Sequence, residues 1–153
     1  MNNLLSRMQL LCARREYCSS DIRRKLLSDR KNPLSSAQAE EVLEALRKDR
    51  YLDDARYAGA FARDKASLSG WGATKIRCAL RAKGICDEDI ASALESIDAG
   101  KSSEKLRQLL AARFRLLSAD PKGRQKLLRF ALGRGYAYDE IEQEIQTLFQ
   151  HNP

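Results

Sequence analysis

KIRCALRAKGICDEDIASALESI (75–97) and KLLRFALGRGYAYDEIEQEIQTL (126–148) are two versions of one pattern at an offset of 51 residues. In each copy a base and a glycine, Lys83–Gly84 and Arg134–Gly135, separate two segments with helical spacing of apolar residues. Glycine is typical of helix ends because it readily adopts the left-handed conformation. A looser copy covers 21–49. A helix–turn–helix pattern of this length predicts stacked helical units with an extended surface rather than one enclosed pocket.

The composition favours helices along the whole chain. Strong helix formers dominate, whereas β-branched residues are scarce, with one valine, seven isoleucines and two threonines among 153 residues. Nine helices are predicted, and they fall into groups of three. We therefore expect an all-α protein of three tandem three-helix repeats, covering 1–52, 53–100 and 101–153, which form an elongated, curved array.

Capping signals precede several of the predicted helices. They are Ser19 or Ser20 before the second helix, a Ser35 and Gln38 capping box before the third, Asp53–Asp54 before the fourth and Asp120–Pro121 before the eighth. The connection between the second and third units, 99–102 (AGKS), is predicted to be the most flexible joint. These signals predict where the helices begin.

The charges are sorted along the chain. The net charge is +7, and segments 74–84 and 122–135 contain four and five bases without an acid. Acidic helices follow both segments. Acids at helix starts complement the helix dipole, but bases such as Lys75 and Lys122 at helix starts do not. Two interpretations stay open: a basic face that binds a polyanion, and a face that is merely solvated.

Trp71, the only tryptophan, lies between two glycines just before a basic helix. One interpretation is an exposed aromatic ring that stacks on a base or anchors a partner. The other is a core residue wedged between units, with the glycines permitting a tight turn. Both interpretations remain open from the sequence.

Catalytic and metal chemistry have little support. His151 is the only histidine and lies near the C-terminus, and no glycine loop is followed by Lys-Ser/Thr. The four cysteines lack the close spacing of zinc ligands, which favours their use as small buried hydrophobes. We expect no enzyme activity, no metal and no cofactor.

The location is predicted from two absences. No apolar run approaches the roughly 20 residues that span a bilayer, and the N-terminal residues lack the pattern of a signal peptide. The sequence therefore predicts a cytoplasmic protein without membrane contact, and a monomer because no unpaired apolar face is evident.

Three stretches resemble the RecX regulators. They are YLDDARYAGAF (51–61), GWGATKIRCALRAKGI (70–85) and RQKLLRFALGRGYAYDEI (124–141), in the order that is typical of that family. The resemblance extends from about Arg14 to Leu148. It implies tandem three-helix repeats and a bacterial protein that modulates the RecA recombinase, usually as an inhibitor. Such proteins lie along the groove of the RecA–DNA filament and oppose filament extension, strand exchange and ATP hydrolysis, and some bind DNA directly.

The resemblance also suggests which bases contact the RecA nucleoprotein filament and DNA, single-stranded first and double-stranded as a further candidate. The best candidates in the second repeat are Lys75, Arg77, Arg81 and Lys83, with Trp71 beside them. The third repeat contributes Lys126, Arg129 and Arg134 as their counterparts, and the first contributes Arg23, Arg24 and Lys25 more weakly. The basic helices are expected to face DNA or the filament, and the acidic helices to pack or to face basic protein surface.

The sequence departs from the RecX pattern at two places, and two other functions compete with the one that the resemblance implies. Ala73 stands where the family often has proline, and the first repeat has a longer connection, 31–36, and lacks the glycine of the later repeats. The main alternative is a general DNA-binding helical module that acts without RecA. A second is an adaptor that binds only proteins, in which the charge sorting serves solubility.

Overall fold

Apolar residues at helical spacing form three separate hydrophobic cores along the chain. The structure, a computed structural model, describes residues 2–151, with side chains from residue 3 onward. Over this range the chain forms nine α-helices and no strand. They are α1 (Asn2–Arg14), α2 (Ser19–Leu27), α3 (Ser36–Lys48), α4 (Asp54–Ser67), α5 (Ala73–Ala82), α6 (Asp87–Glu95), α7 (Ala99–Leu117), α8 (Gly123–Gly133) and α9 (Tyr138–His151). The all-α prediction is confirmed.

Each core is built almost entirely from three consecutive helices. In the first, α2 and α1 pack on α3; in the second, α4 packs chiefly on α6 with α5 alongside; in the third, α7, α8 and α9 pack together. Cys18, at the start of α2, instead joins the second core, and α4 also contacts α7. The unit boundaries at 52 and 100 remain predictions, with helices meeting across both of them.

Local sequence signals set several helix ends as expected. Ser35 Oγ accepts a hydrogen bond from Gln38 N, and Gln38 Oε1 accepts one from Ser35 N, which completes the capping box before α3. Asp53 caps α4 by accepting from Arg56 N. Gly84 and Gly135 both have positive φ, at 75° and 94°, and so end α5 and α8 in the left-handed conformation that glycine permits.

Four local predictions were wrong. The segment 99–102 is the first turn of α7, because Asp98 Oδ1 caps that helix at Lys101 N. Neither Ser19 nor Ser20 caps α2 with its side chain; a carboxylate from α4, Asp54 Oδ1, instead accepts from Ser19 N at 2.8 Å. The helix α8 begins at Gly123 rather than at 120–121. Cys12 and Cys18 are buried, but Cys78 and Cys86 are exposed.

Candidate functional site

Three equivalent helices, α2, α5 and α8, provide most of the candidate bases. Each buries two residues one turn apart: Ile22 and Leu26 in α2, Ile76 and Leu80 in α5, Leu127 and Ala131 in α8. Since residues four apart share a helix face, these pairs align the outer positions of the three helices. The outer faces can therefore be compared position by position.

The position after each buried residue defines an outer stripe, and its chemistry differs among the three units. In α5 the stripe is Arg77 and Arg81, two cations one turn apart. In α2 it is Arg23 and Leu27, and in α8 it is Leu128 and Leu132. Leu27 and Leu132 are 44% and 45% exposed. Among these three helices only α5 presents an all-arginine stripe, so the positive charge at these outer positions is highest on α5.

The arginines of this stripe are not engaged by buried partners within the described residues. Arg81 has 61% of its side chain exposed, and Nε lies 3.6 Å from the Asp87 carboxylate, itself 87% exposed. An ion pair so open to water contributes little to stability and can exchange for another anion. Arg77 is half-buried and forms no ion pair within the described part of the chain. Both guanidinium groups are thus available to a partner.

Lys83, by contrast, is used inside the fold. Its Nζ lies 2.8 Å from Asp21 Oδ1 at the start of α2, and the carboxylate is only 13% exposed. Burial opposes ionisation of Asp21, but hydrogen bonds from Lys83 and Cys18 outweigh it, so the pKa of Asp21 lies below its ordinary value. The hydrogen bond to Asp21 outweighs partial burial of Lys83 and raises the lysine's pKa. Lys83 therefore connects the first two units.

Arg134, which aligns with Lys83 at the offset of 51, connects the second and third units in a similar way. Its Nη1 donates to Ser69 O at 2.7 Å, and its guanidinium carbon lies 5.3 Å from the Phe130 ring centre. The backbone next to it is joined as well, because Gly72 N donates to Arg134 O at 2.7 Å. Lys83 and Arg134 are thus placed to hold neighbouring units together.

Trp71 is half-buried and packs against the second core. Phe61 meets it edge to face, with ring centres 6.2 Å apart. The Nζ atoms of Lys65 and Lys75 lie 4.7 and 4.6 Å from the centre of the Trp71 ring. The ring is thus partly a core residue and partly a platform for two cations.

The candidate bases of the third unit differ in their surroundings. Lys126 is half exposed and forms an ion pair with Asp120. Its hydrogen bond is the main reason why the pKa of Asp120 is lowered. Arg129 is exposed and has no ion pair among the residues described, but at the offset of 51 it aligns with Cys78. Of the three candidates, only Lys126 and Arg134 therefore align with candidate bases of the second unit, Lys75 and Lys83.

The first-unit candidates have weaker claims as free cations. Arg23 Nε is 2.7 Å from Glu40 Oε1. Lys25 Nζ lies 5.6 Å from the Tyr17 ring centre, and Arg24 is exposed. Tyr17 precedes α2 as Trp71 precedes α5. In both units, therefore, a lysine ammonium lies over the ring of the aromatic residue that precedes the basic helix.

Two further lysines near Trp71 were not singled out by the sequence pattern. Lys65 lies in the last turn of α4, and Lys105 lies on α7, with its Cε 3.4 Å from the point where a Cβ on Gly70 would stand. They are 40 positions apart and belong to different helices. Because their proximity depends on the packing of α4 and α7, no local signal in the sequence could have revealed it.

Membrane and metal functions gain no support from the described residues. None of the helices within 2–151 is long and apolar enough to cross a membrane. Over the same range no cluster of three or more His, Cys, Asp or Glu side chains is arranged to hold a metal ion.

Comparisons with known proteins agree on one family. Residues 53–94 match the model described as RecX, second three-helix domain, and 102–145 match RecX, third three-helix domain. The chain is 35% identical to a regulatory protein RecX of Chromohalobacter salexigens, over 92% of this chain and 90% of the relative. It belongs to the RecX family. A longer RecX of Clostridium acetobutylicum is 31% identical, over 74% of this chain and 55% of that protein.

Solved structures support the same assignment and the fold. A crystal structure of regulatory protein RecX has a TM-score of 0.81 and 27% sequence identity, with 92% of this chain and 69% of that chain covered. The stripe of Arg77 and Arg81 falls within the segment that matches the second RecX domain. The Arg134 connection falls within the segment that matches the third.

Proposed function

We propose that this RecX protein regulates the RecA recombinase, most directly as an inhibitor. It would bind along the groove of the RecA–DNA filament and oppose filament extension, strand exchange and ATP hydrolysis. The observation that carries the proposal is the stripe of Arg77 and Arg81, in the segment that matches the second RecX domain, where neither guanidinium is engaged by a buried partner among the described residues. The relatives' name, regulatory protein RecX, supports a regulatory rather than a catalytic role.

The stripe suits a nucleoprotein surface for two physical reasons. A guanidinium presents a planar fork of donors that matches phosphate and carboxylate oxygens. Two such groups one helical turn apart can bind neighbouring anionic groups while the buried face of α5 stays packed. The proposal assigns the acid-rich first turns of α6 and α9 to packing or to basic protein surface.

The first experiment is ATP hydrolysis by the cognate RecA on single-stranded DNA, with this protein below the RecA concentration and DNA in excess. We expect strong inhibition at that ratio, because one bound molecule would affect many protomers of a filament. No inhibition, together with tight binding to bare DNA, would contradict action through RecA.

The stripe is tested with the double variant Arg77→Ala/Arg81→Ala. Loss of two phosphate contacts should weaken filament binding and reduce the slope of log affinity against log salt by about 2. Arg30→Ala/Arg115→Ala is the matched control, since both arginines are exposed and neither forms an ion pair among the residues described. Equal binding by the two double variants would remove the stripe from the proposed interface.

The competing function is a DNA-binding module that acts without RecA, and the same basic stripe would serve it. That function predicts steeply salt-dependent affinity for bare DNA and no preference for filaments. We further propose that the protein acts as a monomer in the bacterial cytoplasm during DNA repair and recombination. Sedimentation at micromolar concentration would test the monomer.

A further inference from the structure

Three lysines from three different helices surround the loop between α4 and α5. Lys65 of α4 and Lys75 of α5 place their Nζ atoms 4.7 and 4.6 Å from the centre of the Trp71 ring. Lys105 of α7 packs its side chain against Gly70, the residue before Trp71. We refer to Lys65, Lys75 and Lys105 as the lysine cluster.

The lysine cluster forms no ion pair within the described residues. All three of its side chains are half-buried. Lys65 and Lys75 place like charges near one ring, and at a partly buried place such charges repel one another because water screens them less than at an open surface. The aromatic ring holds two of the ammonium groups through cation–π attraction, but it carries no net charge that could cancel theirs.

We propose that the lysine cluster is a phosphate-binding site for the backbone of DNA. An arriving phosphate would relieve the repulsion and accept hydrogen bonds from ammonium groups that are already positioned. The proposal rests on the proposed function in that DNA is taken to be within reach of this face. It adds Lys65 and Lys105, which lie outside the stripe, and it gives Trp71 a positioning role.

The arrangement favours phosphate over a stacked base. Base stacking needs an open aromatic face, whereas two ammonium groups lie over the Trp71 ring and Phe61 meets it edge to face. A groove of about 210 Å³ also borders Trp71. Its lining includes Leu94, Ile97 and Glu140 but not Lys65 or Lys75. The apolar and acidic character of that groove does not suit a polyanion.

The lysine cluster and the arginine stripe would bind different phosphates. Lys75 lies about 160° around α5 from Arg77 and about 120° from Arg81, because each residue of an α-helix turns by about 100°. The two groups of cations therefore occupy different sides of the helix. Phosphate contacts of this kind position a protein without reading base sequence.

Trp71 allows a direct test because it is the only tryptophan in the chain. Its fluorescence would be titrated with a single-stranded oligonucleotide and with a duplex of the same length, without RecA. We expect the emission to change with both, since a phosphate bound by Lys65 and Lys75 alters the field at the ring. A response to the single strand alone would indicate base stacking and overturn the phosphate assignment.

The variant Lys65→Gln/Lys105→Gln removes two charges and leaves the stripe and Trp71 intact. We expect about tenfold weaker DNA binding and a salt slope shallower by about 1.5. Lys48→Gln/Lys101→Gln is the matched control, with the same change of net charge at two exposed lysines. Thermal unfolding of both variants would establish that each is folded.

The results separate this proposal from the proposed function. If the cluster variant binds bare DNA as tightly as the control, the phosphate site is overturned even when RecA inhibition is intact. If the variant binds DNA normally but loses filament binding, the cluster contacts protein and the DNA assignment is also overturned. If the parent protein and the cluster variant both fail to inhibit RecA, the proposed RecA function is contradicted. If the cluster variant nevertheless binds DNA more weakly than the control variant, the phosphate site is supported.

Discussion

The two joints between the helical units are built from different chemistry. At the first joint, side-chain carboxylates form the connections: Asp54 Oδ1 accepts from Ser19 N, and Lys83 Nζ pairs with Asp21, both at 2.8 Å. At the second joint, backbone groups meet directly. Gly72 N donates to Arg134 O at 2.7 Å, and Thr74 N donates to Gly135 O at 3.0 Å.

An equivalent base serves both joints, which makes the contrast informative. Lys83 forms an ion pair with a carboxylate, whereas Arg134 donates a hydrogen bond to the carbonyl oxygen of Ser69. A carboxylate loses its charge in acid and is screened by salt, but a carbonyl does not titrate. We infer that the first joint responds to solution conditions and that the second holds the middle and third units in a fixed relation.

The largest expected effect comes from adding one methyl group at the second joint. A Cβ on Gly135 would overlap the backbone and Cβ of Lys75, and the residue has φ of 94°. Gly135→Ala should lower the free energy of unfolding by about 3 kcal/mol or more, through strain and steric overlap together. Urea denaturation would measure the loss.

Gly84→Ala is the matched control for that change. Gly84 also has positive φ, at 75°, but a Cβ there would meet nothing within 4 Å. Only the conformational cost applies, about 1–2 kcal/mol. Equal losses for the two alanine variants would mean that close backbone approach does not strengthen the second joint.

A smaller effect is expected from neutralising the first joint with Lys83→Met. The variant should lose about 1 kcal/mol at neutral pH, a modest value because the Lys83 side chain is 34% exposed. Since the pKa of Asp21 is depressed in the folded state, the stabilisation it contributes is present above its unfolded value and is lost as pH falls through the folded value. The difference from the parent protein should therefore shrink in acid.

The corresponding change at the second joint, Arg134→Met, sharpens the comparison. It removes a donor to a carbonyl that has no charge to lose in acid. Its cost should stay nearly constant where that of Lys83→Met declines. Unfolding measured from neutral to acidic pH, at low and high salt, would test this, and parallel profiles would contradict the distinction between the joints.

The smallest effect is predicted for Tyr136→Phe, beside the second joint. The Tyr136 hydroxyl is buried without a hydrogen-bond partner among the described residues, and burial, with Glu140 nearby, raises its pKa to about 12. Removing it should change stability by no more than about 1 kcal/mol, in the stabilising direction.

The same variant also has a predicted pH signature. A raised folded-state pKa means that the tyrosine's contribution is present below its unfolded value and is lost as pH rises towards about 12. The parent protein should lose this part of its stability in alkali, and Tyr136→Phe should not. Unfolding of both proteins between pH 9 and about 11 would measure the difference, and identical profiles would exclude the effect.

The sequence predicted the helices well because their signals are local. The Ser35–Gln38 box, the Asp53 cap and the glycines at 84 and 135 act within one turn of the backbone they influence. The cap of α2 could not be predicted in this way. Its carboxylate, Asp54, comes from another unit, 35 residues from Ser19.

The candidate site was predictable only in part, for the same reason. Arg77 and Arg81 are four residues apart, so helical spacing alone places them on one stripe. Helical spacing does not show which bases are free of partners in the folded protein. Lys83 and Arg134 lie in basic segments of the sequence, as the stripe does. In the structure they bind Asp21 and Ser69, which are distant in the sequence.

The sequence by itself determined the helices of the described residues 2–151, their grouping by repeat and the sorting of charge, because hydrophobic spacing, caps and glycines act over a few residues. Only the tertiary structure decided which cations remain available. It joined Lys83 to a carboxylate 62 residues away, placed Lys65 and Lys75 at one indole ring and packed Lys105 against the neighbouring Gly70. The physical reason is that charge interactions depend on distance in space, which the packing of one unit on the next sets.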